Sequence, residues 1–334
     1  MNRYIAQTNI AFLGPLGQEK LSAATVTILG CGALGTVAAD LLARAGVGRI
    51  RIIDRDVVEL GNLQRQTLFV ESDAESRIPK AEAATLRLQQ INSDIVVEGL
   101  VADFTGLNAL ELLLGSDAVI DATDNYLARF TLNEACLALN LPWVYGGALG
   151  TGGALAVFTP QGPCFRCLFT ELPVAGAGES CRTTGVLASV TTMVAALQVV
   201  ELFKLLTGQA PLSGLLQLEL TRTEFLTQPI PQDPACPACQ LRRTEFLGQE
   251  RDSLAALVCG QNSVLLPGAA GECTLLALAE RLKVRGFSVD NSRFRLRIVA
   301  KDGYEVVVFA DGRALVYGTS NIVTAKAVYN SILG

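Results

Sequence analysis

Val26-Thr-Ile-Leu-Gly-Cys-Gly-Ala-Leu-Gly35 decides the fold. An apolar strand runs straight into Gly30, Gly32 and Gly35, and a helical pattern over 33–44 follows, closed by Gly46 and Gly48. Glycines at a strand-to-helix turn let the backbone approach a nucleotide, and the helix N-terminus favours negative charge there. The next strand, 49–54, ends in Asp54, where a carboxylate can accept hydrogen bonds from ribose hydroxyls. These two features alone describe an NAD-dependent oxidoreductase equally well.

Outward from this unit the pattern keeps alternating. Helices are expected over 80–91, 107–114 and 127–139, and strands over 95–100, over 118–121 and around Trp143. Strands separated by helices in this rhythm imply βαβ units, hence an α/β, Rossmann-like, doubly wound and mainly parallel sheet. After Gly146 the rhythm breaks. The glycines of 146–153 read as a flexible loop, 154–159 as a strand, 164–181 as irregular, and 215–220 and 224–226 as short strands of an antiparallel extension.

The apolar segment 186–206 could pass for a membrane span, but Ser189, Thr191, Thr192, Gln198, Glu201 and Lys204 favour a buried core or dimer-interface helix. From about 250 a small α+β unit is expected. It would have helices at 275–284 and 324–333 and strands at 294–300, 304–309 and 314–316, turning at Asp302-Gly303 and Asp311-Gly312. The expected domains are 1–248 and 249–334.

The 334 residues are half apolar and only 18% charged, which suits a compact, heavily buried protein. A net charge of -5 supplies no basic footprint, so no nucleic-acid partner is expected, and no membrane partner either. Histidine is absent, which excludes a histidine base, a histidine metal ligand and any histidine-dependent triad. Nine cysteines behind a polar beginning, Met1-Asn-Arg-Tyr-Ile-Ala-Gln7, imply a reducing cytoplasm with metal-bound or reactive thiols.

Three segments supply what nucleotidyl transfer to a carboxylate needs. Asn62-Leu-Gln-Arg-Gln66 and Ile78-Pro-Lys80 bring Arg65 and Lys80, cations able to stabilise charge on the phosphoryl oxygens. Ala122-Thr-Asp-Asn125 brings Asp124, a candidate partner for Mg²⁺. Cys164-Phe-Arg-Cys167 and Cys236-Pro-Ala-Cys239 are paired C-x-x-C knuckles, the pattern of a closed structural zinc site, with Arg166, Arg242 and Arg243 available to offset its negative charge.

Cys181-Arg-Thr-Thr-Gly-Val186 carries a loop thiol that zinc does not need, beside Arg182, which can lower its pKa. The bland alternative is an inert loop cysteine. Cys31, Cys136, Cys259 and Cys273 read as small buried hydrophobes.

In this order Gly30 to Gly35, Asp54 to Leu68, Pro79-Lys80 and Thr123-Asp124-Asn125 resemble the ThiF/MoeB/HesA family, relatives of the ubiquitin-activating enzymes, over about residues 1–245. The tail resembles the C-terminal unit of Bacillus-type members at Cys259-Gly-Gln-Asn-Ser-Val264 and Asp311-Gly-Arg-Ala-Leu-Val316. The resemblance implies an adenylyltransferase that binds ATP with Mg²⁺. Ribose would lie on Asp54, phosphates near Asn62, Arg65 and Lys80, magnesium at Asp124, and zinc at the two knuckles.

The implied substrate is the C-terminal Gly-Gly carboxylate of a ubiquitin-like sulfur-carrier protein, for thiazole and thiamine synthesis. Cys181 would join covalently to that carrier, a cysteine desulfurase would be a further partner, and the chain would form a homodimer. A molybdopterin-synthase carrier and a non-catalytic nucleotide-binding scaffold are the rival readings. The scaffold reading draws on one departure: the family opens Arg-Tyr-Ser-Arg-Gln, with its second arginine reaching the neighbouring subunit's nucleotide, and here Ala6 stands in that place.

Overall fold

A computed structural model of the chain describes residues 3–173, 184–249, 262–267, 274–300 and 303–333, and the backbone alone of 256–257. The chain divides into two compact units, Met1–Gln249 and Glu250–Gly334.

The first unit opens with α1 (Ile5–Thr8) and α2 (Gly14–Ala23) and then enters β1 (Thr25–Leu29), α3 (Ala33–Ala45) and β2 (Arg49–Ile53). A 3₁₀ turn at Leu60–Asn62, α4 (Glu71–Glu75), α5 (Lys80–Ile91), β3 (Val96–Leu100), α6 (Ala109–Leu113), β4 (Ala118–Asp121) and α7 (Tyr126–Leu139) follow. The unit is completed by β5 (Trp143–Leu149), β6 (Gly152–Phe158), α8 (Phe165–Leu168), α9 (Ala188–Thr207), β7 (Leu215–Glu219) and β8 (Glu224–Gln228).

Its eight-stranded sheet has the order β3-β2-β1-β4-β5-β6-β7-β8. The first five strands run parallel, and β5 to β8 pair antiparallel, so the Rossmann-like core carries an antiparallel extension. Alternate side chains go to opposite faces. Val26, Ile28, Ile50, Ile52 and Ile120 enter one apolar cluster, whereas Leu29, Ile53, Val119 and Trp143 enter the other. Both faces are therefore covered, which is why the parallel strands read as continuous apolar runs.

The expectation of a flexible loop over 146–153 is corrected. Gly146–Leu149 and Gly152–Gly153 belong to the β5–β6 hairpin, paired from Trp143↔Phe158 to Leu149↔Gly152. The glycines serve packing rather than flexibility. A Cβ on Gly146 would lie 2.5 Å from the Gln198 side chain, and one on Gly153 would lie 2.5 Å from Val194, so α9 sits directly on the backbone of the hairpin.

By length and composition α9 is apolar enough to cross a bilayer. In the fold its Val190, Val194, Ala195 and Leu202 join the core, and buried Gln198 donates through Nε2 to the carbonyls of Asp121 (2.7 Å) and Val144 (3.1 Å). A polar side chain that caps two strand ends suits a core helix.

The second unit is a six-stranded antiparallel sheet, β11-β12-β13-β14-β10-β9, in which β9 (Ala256–Leu257), β10 (Ser263–Leu266) and β11 (Ser288–Asn291) add to the expected meander of β12 (Arg295–Val299), β13 (Glu305–Phe309) and β14 (Ala314–Tyr317). Helices α10 (Leu275–Val284) and α11 (Ile322–Leu333) supply Leu278, Leu282, Ala325 and Ile332 to its core. Asp302 of the expected Asp302-Gly303 turn lies outside the described residues, as do Cys259 and Cys273.

Within the glycine turn the tightest approach is at Gly35, where a Cβ would lie 2.0 Å from the Gly30 carbonyl oxygen. Gly35→Ala is expected to lower stability by about 1–3 kcal/mol, the usual cost of overpacking a fixed backbone contact. Urea titration of the full chain measures this, and an unchanged midpoint would show that the turn can relax.

Candidate functional site

Strand order reverses between β1 and β4, and in open α/β sheets ligands bind in the crevice at the carboxyl ends of such strands. The glycine turn leaves β1 there. Gly30 adopts φ +91° and would place a Cβ 2.8 Å from the Ala122 carbonyl oxygen, so the turn lies against the β4 loop. Gly32 is the N-cap of α3, and a Cβ there would meet only Gln66 Nε2, at 4.0 Å. The first helical bond of α3 runs from the Thr36 N–H to the Gly32 carbonyl (3.0 Å), so the N–H groups before it have no acceptor within the helix. An open glycine cap with unspent N–H donors fits a phosphate.

Asp54 leaves β2 beside this turn. Its Oδ2 accepts the Cys31 N–H at 2.6 Å and its Oδ1 accepts the Asp56 N–H at 2.7 Å. Burial pushes its carboxyl above the ordinary carboxylate range, with Lys80 opposing and Asp56 adding to the rise. Each oxygen keeps one lone pair for a ribose hydroxyl.

Lys80 begins α5 with only 8% of its side chain exposed, and its Nζ lies 3.0 Å from Asp56 Oδ2. Burial by itself would lower its pKa. The charges of Asp56, Asp54 and Glu59 outweigh burial and hold the ammonium above the ordinary lysine range. Arg65 is half-buried beside the 3₁₀ turn and donates to the Gly61 carbonyl and to Asn62 Oδ1, both at 3.3 Å. Asn62 Nδ2 in turn donates to Glu59 Oε2 at 3.3 Å. The structure thus joins the glycine turn, Asp54, Asp56 and Lys80 in one bonded set and Asn62 with Arg65 in another, with Glu59 bonded to Asn62 and near enough for its charge to act on Lys80.

Asp124 follows β4 across the switch point, exposed, with no hydrogen bond or ion pair among the described residues. Its loop is held by neighbours that sequence reading missed. Asp121 and Arg129 form a buried pair (Nε to Oδ2, 2.9 Å), and Arg129 also donates to the carbonyls of Thr123 and Gly146. Asp121 Oδ1 accepts the Thr123 N–H (3.0 Å) and hydroxyl (2.7 Å). Asp56 was missed too. The available signals were the acidic spacing Asp54-Arg-Asp56 and the placing of Arg129 one helical turn after the N-cap Asn125.

Cys181 and Arg182 lie outside the described residues. The described chain resumes at Thr184, and there the Gly150 N–H donates to the Gly185 carbonyl and the Leu187 N–H to the Gly150 carbonyl, both at 2.9 Å. At the other end of the chain Ala6 is exposed in α1. Arg3 is engaged elsewhere, donating to the Ile91 carbonyl (3.1 Å) and pairing with Asp94 (3.4 Å).

The four cysteine sulfurs of 164, 167, 236 and 239 lie within 4.8 Å of one another, with Cys164–Cys236 and Cys167–Cys239 at 3.6 Å. A tetrahedron of thiolates at zinc's usual bond length has edges of about 3.8 Å, so the donor set fits zinc. Burial, followed by the neighbouring sulfurs, raises the Cys164 thiol and pushes Cys239 up to about 11. At Cys164 and Cys239 the gathering therefore works against ionisation until a cation offsets the charge, whereas at Cys236 burial is outweighed by the Cys239 and Ala238 N–H groups, which lower the thiol.

Arg166, expected to offset charge at the sulfurs, is itself engaged by a carboxylate and two aromatic rings. Its Nη1 pairs with Glu245 at 2.9 Å and its guanidinium lies over Phe130 and Phe246. Stacking and the ion pair fix it to the aromatic core beneath the knuckle.

A parallel sheet with a phosphate-ready turn at its switch point and a buried lysine beside it defines a nucleotide-binding α/β protein, and its four-cysteine cluster could hold a metal ion. Residues 4–238 match the ThiF family, and the chain belongs to that family. It is 40% identical to the Bacillus subtilis "Sulfur carrier protein ThiS adenylyltransferase" over 337 residues, 99% of each chain. The Escherichia coli protein of the same name is 38% identical over 241 residues, 71% of this chain and 94% of that one. Among solved structures, Escherichia coli MccB with MccA-N7isoASN superposes with a TM-score of 0.63 at 24% identity, covering 72% of this chain and 74% of that one, a likeness of fold.

Purified protein is expected to carry about one zinc per chain, and Cys236→Ser to lose metal and stability together. Elemental analysis of folded protein checks this, and folded protein devoid of metal would contradict it.

Proposed function

We propose that this chain uses ATP to adenylate the C-terminal glycine carboxylate of a ubiquitin-like sulfur-carrier protein, in thiazole formation for thiamine. The observation that carries this reading is Lys80, an ammonium buried at 8% exposure beside a glycine turn that ends in the open N-cap of α3. The end-to-end match to a protein named for adenylating the carrier ThiS supports it and favours a thiamine-type carrier.

A carrier carboxylate oxygen attacks the α-phosphorus of ATP, the bond to the bridging oxygen of the β-phosphate breaks, and pyrophosphate leaves with that electron pair. The product is an acyl-adenylate. Two anions must meet for this to happen, so the chain's task is to offset charge and hold geometry. The α3 N-terminus and the N–H groups of its cap bind the phosphates, Asp54 holds the ribose, and Asn62 orients Arg65. Arg65 and Lys80 stabilise the phosphoryl oxygens as pyrophosphate departs. Magnesium, when bound, would neutralise charge on the leaving pyrophosphate, and Asp124, an exposed carboxylate suited to a hard cation, would hold it.

Several further parts of the reading belong to the same proposal. Zinc in the four-cysteine knuckle is structural. The Cys181 thiolate attacks the acyl carbon of the carrier adenylate, the acyl–phosphate bond breaks and AMP leaves, giving a thioester between enzyme and carrier, with a cysteine desulfurase as the later sulfur source. A homodimer is supported by exposed Ile5, Ile10 and Leu16 near the N-terminus and by Met193 and Val200 on α9. Free thiols at all six described cysteines suit a reducing cytoplasm. The catalytic domain is taken as 1–248, with 249–334 an appendage that the chemistry does not need. Its counterpart in the first unit is self-contained, since buried Glu134 accepts the N–H groups of Glu245, Phe246 and Leu247 at 2.8–3.1 Å and closes the chain there.

Carrier-dependent ATP–pyrophosphate exchange tests the reading. Arg65→Ala and Lys80→Ala are each expected to lower exchange about a hundredfold or more, a loss of roughly 3 kcal/mol of transition-state stabilisation, with folding spared. Cys181→Ser is expected to retain exchange while losing any covalent enzyme–carrier species. Exchange at wild-type rate in Lys80→Ala would remove the lysine from the mechanism.

A further inference from the structure

Two short segments cross beside the glycine turn and fix where Lys80 starts. The Lys80 N–H donates to the Asp56 carbonyl at 2.9 Å, the Val58 N–H donates to the Ile78 carbonyl at 2.8 Å, and Val57 and Pro79 form an antiparallel bridge between them. Val57 and Val58 are fully buried, so the crossing is anchored in the core. Pro79, with φ -56°, leads into α5 and makes Lys80 its first residue. The main chain thus sets the lysine Cα directly beside Asp56. What remains free is the four-carbon stem, which carries large rotamer freedom.

We propose that Asp56 is the positioning residue that pins the Lys80 ammonium where the nucleotide phosphates meet it, its carboxylate acting on a backbone clamp that already holds both residues. The proposal rests on the adenylation reading above and deepens it. Three carboxylates surround the ammonium, and they are not equivalent. Asp54 spends an oxygen on each of two backbone N–H groups, those of Cys31 and Asp56. Glu59 accepts from Asn62. Among the described residues Asp56 is the carboxylate in direct contact with Nζ, at 3.0 Å. It is also half exposed and lies 3.8 Å from Arg55 Nε, so it can change without opening the core.

The groups that face Lys80 are Asp54 at the end of β2, Asp56 and Glu59 in the segment after it, and the Cys31 thiol on the glycine turn, with Arg77 facing Glu59 from before α5. Burial opposes the lysine cation and the carboxylates sustain it. Without the Asp56 charge, burial is opposed by Asp54 and Glu59 alone. The lysine proton is then lost at lower pH, and because the cation is the active form, the alkaline limb of activity moves down.

The full chain carries the test, with ATP affinity by calorimetry and carrier-dependent ATP–pyrophosphate exchange each measured from neutral to alkaline pH. Asp56→Asn is expected to reduce exchange at least tenfold and to bring the alkaline limb of both readouts down by about one pH unit or more. Asp56→Glu, which restores the charge, is expected to return the limb to its wild-type position and recover most of the rate. Asp56→Ser is a second neutral replacement should Asp56→Asn fail to fold. A neutral variant with wild-type rate and limb overturns the proposal, and so does a reduced rate with an unmoved limb, the signature of a merely structural role. If Lys80→Ala is inactive while Asp56→Asn is normal, the adenylation reading stands and the positioning role falls. If the wild-type chain catalyses no exchange, both fall.

Discussion

Asp54 accepts the Cys31 N–H at 2.6 Å and the Asp56 N–H at 2.7 Å, and through those bonds one buried carboxylate ties the glycine turn after β1 to the segment after β2. The turn cannot drift toward the ligand because the Cys31 backbone is held from below. It cannot close inward either, since Gly30 already lies against the Ala122 carbonyl. The segment 56–58 is fixed at its first N–H and clamps the start of α5, which delivers Lys80. Burial of the Asp54 charge works against the fold, and two short backbone hydrogen bonds with an ammonium nearby oppose that cost.

The opposite wall of the crevice repeats the device with other residues. Asp121 at the end of β4 is fully buried, and Arg129, itself buried, answers its charge and ties down the Thr123 and Gly146 carbonyls. Gln198 reaches from α9 to the carbonyls of Asp121 and Val144. Polar side chains thus brace the carboxyl end of β4 and the first half of β5, leaving Asp124 exposed on a loop that is short and tethered. A site meant to hold two anions in line needs its charges fixed in advance, and each wall is braced by a buried carboxylate, Asp54 on one side and Asp121 on the other.

Much of this was legible in the order of residues. The strand, glycines and helix over 26–44 and the carboxylate at Asp54 lie within one local unit, so periodicity and spacing reveal them, and the two C-x-x-C knuckles announce their own assembly. Lys80 and Arg65 were legible as cations, but their surroundings were not, because ion pairing across a fold leaves no periodic trace. Nothing in the spacing of Asp56 or Arg129 distinguishes a paired charge from a solvated one. The glycines of 146–153 misled for a different reason. Their missing side chains make room for α9 on a hairpin, and sequence alone cannot distinguish space left for a neighbour from freedom of the backbone. The Arg166 pair with Glu245 was not legible either, because the two lie far apart along the chain.

The account stands on the formation of an acyl-adenylate, and the most direct measurement is the intact mass of the carrier itself. A small ubiquitin-like protein ending in Gly-Gly, incubated with the wild-type chain, ATP and magnesium and quenched in acid, is predicted to gain one adenylyl group on its C-terminal carboxylate. The gain should disappear when the terminal glycine is removed. A carrier recovered at its starting mass, from a mixture in which both it and ATP are shown to bind the chain, would contradict the account and identify a nucleotide-binding scaffold instead.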